Sequence, residues 1–283
     1  YSATPFYGSS EKREYFPHII YDYDLVSAMQ DMLVKQLFLE ERQSIGGELL
    51  DELDFRADRY QPDAGHQRGE IKSLSNGQKL LLEIGRLKLE QLSAELRKKG
   101  LKKKPVMMVL CEDTKVADLT KDHFAKLTDE NGRYYDDSQT MVIHSDLTEV
   151  RHGITLDSAR KKLDKIDIDD DPLRVVISVL MLREGFDKNN ICVVVVLRAT
   201  EADLLLEQIV GRGLRLMFPA YSYPELQDIK REAFFEIRRN KMPSNSLDFL
   251  FVVEHPRFRA FYESLKHEGY VIGGGDTSGI TST

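Results

Sequence analysis

Cysteine is scarce in this chain: only Cys111 and Cys192 occur among 283 residues, each beside or inside an apolar run. That placement predicts packed thiols in a reducing cytosol rather than a disulfide or a metal site. No cluster of metal-ligating residues shows a recognisable spacing, and no internal repeat is visible. Apolar runs all fall short of the roughly 20 residues needed to span a bilayer, and no basic segment followed by an apolar one opens the chain. The expectation is a cytoplasmic protein without a membrane partner. Missing too are a G-x-x-x-x-G-K-[ST] loop to cradle phosphates and an Asp-Glu-x-His segment to hold magnesium. The first residue is Tyr1 rather than methionine, with Ser2-Ala3-Thr4-Pro5 directly behind it, so a piece of a larger polypeptide is expected.

What is present suffices for one large α/β domain with an elaboration. The net charge of −7 and a pI near 5.6 argue against a small DNA-binding module with a globally basic surface, and leave room for a local basic groove. The densest cationic run, Arg97 to Lys104, reads first as a solvated helix end favoured by the helix dipole. Acidic residues crowd Asp164 to Asp171.

Short apolar, β-branched runs bounded by charge or turn residues mark the strands: Val106 to Leu110, Met141 to His144, Arg174 to Val179, Ile191 to Leu197 and Phe249 to Val253. Such runs fit strands buried on both faces. Helical periodicity lies between them, at Val116 to Leu127, Leu156 to Lys165, Glu201 to Leu214 and Tyr223 to Arg239. Alternation of this kind predicts an α/β fold with a parallel sheet covered by helices on both faces. Ahead of it, Leu25 to Arg42 and Lys79 to Lys99 read as helices. The polar stretch between them, Asp54 to Asn76, reads as an excursion or mobile loop. The Gly/Ser/Thr-rich end, Gly273 to Thr283, reads as disordered or a linker.

The segment Leu204 to Arg215 carries the strongest chemical signal. On a helix Gln208, Arg212 and Arg215 stand at i, i+4 and i+7 and share one stripe, while Leu205, Leu206, Ile209 and Val210 form a separate arc suited to packing on the sheet. Gly211 and Gly213 flank Arg212, and since helical glycine costs roughly 1 kcal/mol against alanine, they point to close backbone approach or a helix end. Ordinary surface ion pairs are the plain alternative for the two arginines. Aimed across a cleft at a transferring phosphoryl group, an arginine is worth about 10³ to 10⁵ in rate. A second segment, Ile177 to Asp187, runs from a strand into a turn containing Gly185 and Asp187. The carboxyl end of a parallel strand is where ligand-contacting groups gather, although a capping aspartate would explain the turn equally well.

Taken together, Gly185-Phe186-Asp187 and, about twenty residues on, Gln208-x-x-Gly211-Arg212-x-x-Arg215 resemble motifs V and VI of the superfamily-two helicases and translocases. Ser2-Ala3-Thr4 resembles motif III at the junction from the first lobe, and Val106 to Leu110 followed by Cys111-Glu112-Asp113-Thr114 resembles motif IV. The wording Met181 to Asp187 and the Ser-Ala-Thr-Pro-Phe-Tyr-Gly opening look most like the Res subunit of type III restriction enzymes, over roughly residues 1 to 255; Phe186 stands where tryptophan is expected. The resemblance implies a junction at 1–22, a linker helix, polar loop and long helix at 23–104, a RecA-like second lobe at 105–255, and a helix and disordered tail at 256–283.

It further implies catalytic roles for Arg212, Arg215 and Gln208, with Gly185, Asp187 and Gly211 binding ATP. Ser2, Ala3 and Thr4 would couple the lobes, and Ser178, Glu112, Asp113 and Thr114 would contact nucleic acid. ATP and Mg2+ would be held mainly by the first lobe, so this chain alone would be inactive. DNA, that first lobe and a modification methyltransferase subunit are the implied partners. A non-restriction helicase acting on DNA or RNA, and a non-catalytic nucleic-acid-binding module on the same fold, are the alternatives. Pro62-Asp63 and Glu70-Ile71-Lys72 do not make a nuclease, because their spacing is short and their surroundings polar. His144 and His152 read as a strand-end and a loop residue.

Overall fold

A computed structural model gives the architecture, and describes residues 6–9, 12–15, 25–40, 44–45, 48–49, 53–60, 69–129, 131–143, 161–169, 171–179, 188–197, 213–239, 241–253 and 273–275. In chain order the strands are β1 (Phe6–Ser9), β2 (Lys12–Tyr15), β3 (Gln36–Glu40), β4 (Ser44–Ile45), β5 (Glu48–Leu49), β6 (Asp58–Arg59), β7 (Ile71–Ser73), β8 (Val106–Cys111), β9 (Thr140–Ile143), β10 (Val175–Val179), β11 (Ile191–Val196), β12 (Phe249–Val253) and β13 (Gly273–Gly275). The helices are α1 (Leu25–Gln30), α2 (Asn76–Lys98), α3 (Thr114–Phe124) and α4 (Gln227–Arg238).

Seven strands form one sheet in the order β13-β3-β12-β11-β8-β10-β9, and every neighbouring pair runs parallel. The remaining pairs, β1 with β2, β4 with β5 and β6 with β7, are short antiparallel ribbons. All five strands read from apolar runs are present within a residue or two of their expected ends. Alternate residues of β8, β10, β11 and β12 join α2, α3 and α4 in one large core, while Val106, Met141, Ile143 and Val176 pack on the other face with Leu163, Ile166 and Leu173. The fold class is therefore α/β, a parallel sheet covered on both sides.

Three expectations need correction. The helix expected over Leu25 to Arg42 is α1 followed by β3, a buried strand between β12 and β13. The sheet thus draws on residues before 105, and α2 lies across β11, β8 and β12 rather than in a separate linker. The stretch Asp54 to Asn76 is packed where it is described: Phe55, Ala57, Ile71 and Leu74 enter the main core from the β6–β7 ribbon and the residues flanking it. Gly273–Gly275, expected to lie in a disordered tail, pair with Phe38–Glu40 as β13.

Local chemistry explains the elements. Ser75 caps α2 by accepting from Gln78 N–H, and the Gln78 side chain returns the favour to the Ser75 N–H, a capping box that starts the helix three residues earlier than periodicity alone indicates. Deep in the core, Lys88 of α2 reaches Glu40 of β3 at 3.0 Å, both side chains essentially inaccessible, and its ammonium sits 4.6 Å from the centre of the Phe251 ring. Gly85 lets α2 approach the sheet closely, since a Cβ there would lie 2.4 Å from Val195 Cγ2 and 2.7 Å from Met107 Sδ. Gly85→Ala should therefore destabilise the fold by about 1–3 kcal/mol through overpacking, against the roughly 1 kcal/mol that helix propensity alone would return. The urea-unfolding midpoint reads the sign directly; a midpoint that rises would refute the tight seam.

Candidate functional site

Because the sheet is parallel, its two edges are chemically different. At the carboxyl edge Cys111 and Val179 are register partners, so Glu112-Asp113-Thr114 leave beside the strand that precedes Gly185 and Asp187. Asp113 caps α3, its Oδ1 accepting from Lys115 N–H at 2.6 Å, so this acidic cap occupies one of the amide groups otherwise open to a phosphate. Asp113, Thr114, Lys115 and Asp118 line a cleft of about 430 Å³ together with Arg59 and Glu70. Ser178 lies one residue inside the end of β10, fully buried, and its Oγ has no hydrogen-bond partner among the described residues.

The amino edge holds the more developed arrangement. Lys35, directly ahead of β3, is fully buried, and its ammonium donates to the carbonyls of Asn189 at 2.7 Å, Gly213 at 3.0 Å and Ile191. Its own backbone N–H donates to Leu214 O at 2.6 Å. Three carbonyls match the three donors of an ammonium group. Burial pushes the Lys35 pKa down, Cys192 and Asp248 push it back up, and Lys103 adds to the depression. One side chain thereby joins the start of β11, just beyond Asp187, to the end of the Gln208 to Arg215 segment.

Neighbouring groups fix both joined segments. Lys188 donates to Asp164 O at 2.9 Å and meets Asp167 Oδ1 at 3.2 Å, and Asn190 Nδ2 donates to Ile166 O at 2.6 Å and Lys104 O at 3.2 Å. On the other side Asp248 Oδ1 accepts from Met217 N–H at 2.6 Å and Phe218 N–H at 3.1 Å, while Oδ2 pairs with Lys230 at 2.6 Å. Lys230 also donates to Phe218 O at 2.9 Å. Asp248 is buried and adopts φ +56°, a left-handed conformation that disfavours most side chains and that aspartate tolerates better than most. Gly213 presses on β12: a Cβ there would meet Leu250 Cδ2 at 2.8 Å, in keeping with the close approach its glycine implies.

Leu214 is buried and Arg215 exposed, so the chain leaves the Lys35 anchor with an arginine directed outward. Gln208, Gly211 and Arg212 lie outside the described residues, as do Gly185, Asp187, Ser2, Ala3, Thr4, His144, His152 and Pro62-Asp63. Among the described residues no group of His, Cys, Asp and Glu could hold a metal ion, and no helix is long and apolar enough to cross a membrane.

No protein-family model matches the sequence, and no curated protein matches it. Among solved structures, Mss116p DEAD-box helicase domain 2 bound to an RNA duplex is similar at 12% identity and a TM-score of 0.34, covering 69% of this chain and 60% of that one. The ATP-dependent Type ISP restriction-modification enzyme LlaBIII bound to DNA is similar at 14% identity and a TM-score of 0.37, covering 96% of this chain and 20% of that one. The chain thus spans less than two thirds of either structure.

Lys35, Asp248 and Lys230 escape a reading of the sequence, because a lysine or aspartate at a strand's start reads as a solvated turn residue and a lysine in a helix as a solvated face. Only the unusual Asn245-Ser246-Leu247-Asp248 approach to a fully apolar strand hinted at a buried polar cap. The two cysteines do pack as expected: both are free and buried, and burial pushes the Cys111 thiol up to about 12 and raises that of Cys192. Iodoacetamide at about pH 8 should leave both thiols unmodified in the folded chain and alkylate both in denaturant. Mass spectrometry checks this; rapid native labelling would show that the core opens around β8 or β11.

Proposed function

We propose that this chain is the second motor lobe of an ATP-dependent superfamily-two DNA helicase or translocase, of the kind carried by the Res subunit of type III restriction enzymes. The observation that supports it most is the meeting, on Lys35, of the two segments that carry the chemistry: the residues following Gly185-Phe186-Asp187 and the end of Gln208-x-x-Gly211-Arg212-x-x-Arg215.

In this assignment the lobe closes on ATP held by a first lobe. Arg212 and Arg215 meet the charge that spreads over the transferring phosphoryl group, and Gln208 places the attacking water or the phosphate. Gly185, Asp187 and Gly211 contact the nucleotide, and Ser2, Ala3 and Thr4 transmit closure between lobes. Mg2+ neutralises phosphate charge when bound, and its ligands belong to the first lobe. Glu112, Asp113 and Thr114, at the carboxyl edge, line the nucleic-acid track, with Ser178 beneath them. The lobe's grip on DNA would go chiefly to phosphates and sugars, and so be salt-sensitive and of low sequence specificity. A methyltransferase subunit would supply site recognition.

The test is DNA-stimulated ATP turnover by a polypeptide carrying both lobes, with Arg212→Ala and Arg215→Ala variants beside the unaltered protein. Unchanged turnover in both would return the arginines to surface ion pairing and end the motor assignment.

A further inference from the structure

The basic run that begins at Arg97 is more than a helix end. A groove of about 450 Å³ opens at the amino edge of β8, β10 and β9, where Arg97, Lys102, Lys103, Lys104, Arg133 and Arg174 line it from three separate stretches of chain. Two carboxylates share the lining, and each is already engaged in closing a turn. Asp129 Oδ1 accepts from the N–H groups of Asn131 at 2.8 Å and Arg133 at 2.9 Å, and Asp136 Oδ1 from those of Ser138 at 2.8 Å and Gln139 at 3.3 Å. Arg174 donates through Nη2 to Ser93 Oγ, while its buried Nε has no acceptor among the described residues. In a chain of net charge −7 this is a local reversal of sign.

Charge alone would suit any polyanion, but the groove also carries an aromatic. Tyr134 lines it with 65% of its surface exposed, an uncommon position for so large a ring in water. Cations that track a backbone beside an open aromatic face are the combination that binds single strands: phosphates go to the cations, and a base stacks on the ring. A free phosphate or an acidic peptide would make no comparable use of Tyr134.

We infer that this groove binds a single-stranded nucleic-acid segment, with Lys102 and Arg133 on its phosphates and a base stacked on Tyr134. The site lies on the edge of the sheet opposite Glu112–Thr114, and stands whether or not the chain is a motor lobe.

The experiment is fluorescence anisotropy of the full chain with a labelled single-stranded oligonucleotide across a salt series. A Lys102→Gln/Arg133→Gln double variant, changed at two exposed positions, should bind roughly tenfold more weakly at about 0.1 M salt, with a log–log salt slope shallower by about 1.4. Tyr134→Ala should weaken single-strand binding by roughly tenfold while leaving displacement by inorganic tripolyphosphate unchanged. Arg231→Gln/Lys241→Gln removes the same charge from exposed positions outside the groove and should have little effect. Equal loss in the groove and control doubles would overturn the site in favour of diffuse electrostatics. Retained affinity in Tyr134→Ala would overturn the strand in favour of a free phosphate ligand, and polyglutamate competing as well as the oligonucleotide would do so in favour of an acidic peptide. Circular dichroism melts confirm that every variant is folded.

Discussion

Alanine at Arg212, or at Arg215, should lower DNA-stimulated ATP turnover of a two-lobe polypeptide by about 10³-fold, the lower end of what an arginine acting on a transferring phosphoryl group contributes. The loss should fall on kcat, with KM for ATP moving far less, because the guanidinium meets charge that develops only in the transition state. DNA affinity should stay intact, since the nucleic-acid contacts are assigned to other parts of the chain. Lysine at either position should recover little: a compact ammonium replaces a planar fork of donors. Arg215 also has a setting that favours such a role. Its neighbour Leu214 is buried and hydrogen-bonded to Lys35, so the exposed arginine departs from a point tied into the core. A loss confined to DNA affinity, with kcat unchanged, would move both arginines from the nucleotide to the track.

The second large effect concerns stability. Asp248→Ala removes the partner of Lys230, whose side chain is only 3% exposed, and strips the acceptors from two buried amide groups. Breaking a buried ion pair from one side costs about 3–5 kcal/mol, a large part of the 5–15 kcal/mol that holds an ordinary domain folded. Alanine at φ +56° adds strain. Asp248→Asn keeps an acceptor oxygen and tolerates the left-handed backbone, so it should lose less. Adding Lys230→Met to Asp248→Asn removes the stranded charge and should restore part of the loss. Denaturant unfolding of the unaltered protein, Asp248→Asn, Lys230→Met and the double variant makes a double-mutant cycle, and a coupling near zero between positions 230 and 248 would show that the pair contributes no specific interaction.

These effects sort along the line between what sequence shows and what it hides. The strands β8 to β12 were legible because each is a compact apolar run with charges or turns at its ends, and burial on both faces requires little else. β3 was not. Gln-Leu-Phe-Leu-Glu lacks β-branched residues and follows a helical periodicity without a break, and its two polar ends look solvated. In the fold both ends are buried, Gln36 donating to Met29 O at 2.7 Å and Glu40 pairing with Lys88. A glutamate reads as surface until its lysine is known, and that lysine is some fifty residues further along. The same limit hid Lys35: its partners are backbone carbonyls, which leave no trace in side-chain chemistry. The arginine motif, by contrast, was visible because its spacing is local in the sequence. The groove fell between the two, its lysines conspicuous and Arg133, Tyr134 and Arg174 brought in only by the fold.

The position of β3 bears on how the chain is made. Its hydrogen-bonding neighbours are β12 and β13, both about 200 residues or more downstream. At ribosomal rates of about 5–20 residues per second, Leu37, Phe38 and Leu39 emerge roughly 10–40 s before either neighbouring strand exists to pair with them. During that interval the nascent chain carries an open, apolar strand with no legitimate mate, the kind of edge that aggregates or recruits chaperones. A truncation between β3 and β12 would prolong that orphaned state indefinitely, so the presence of the C-terminal third decides whether the N-terminal third remains soluble.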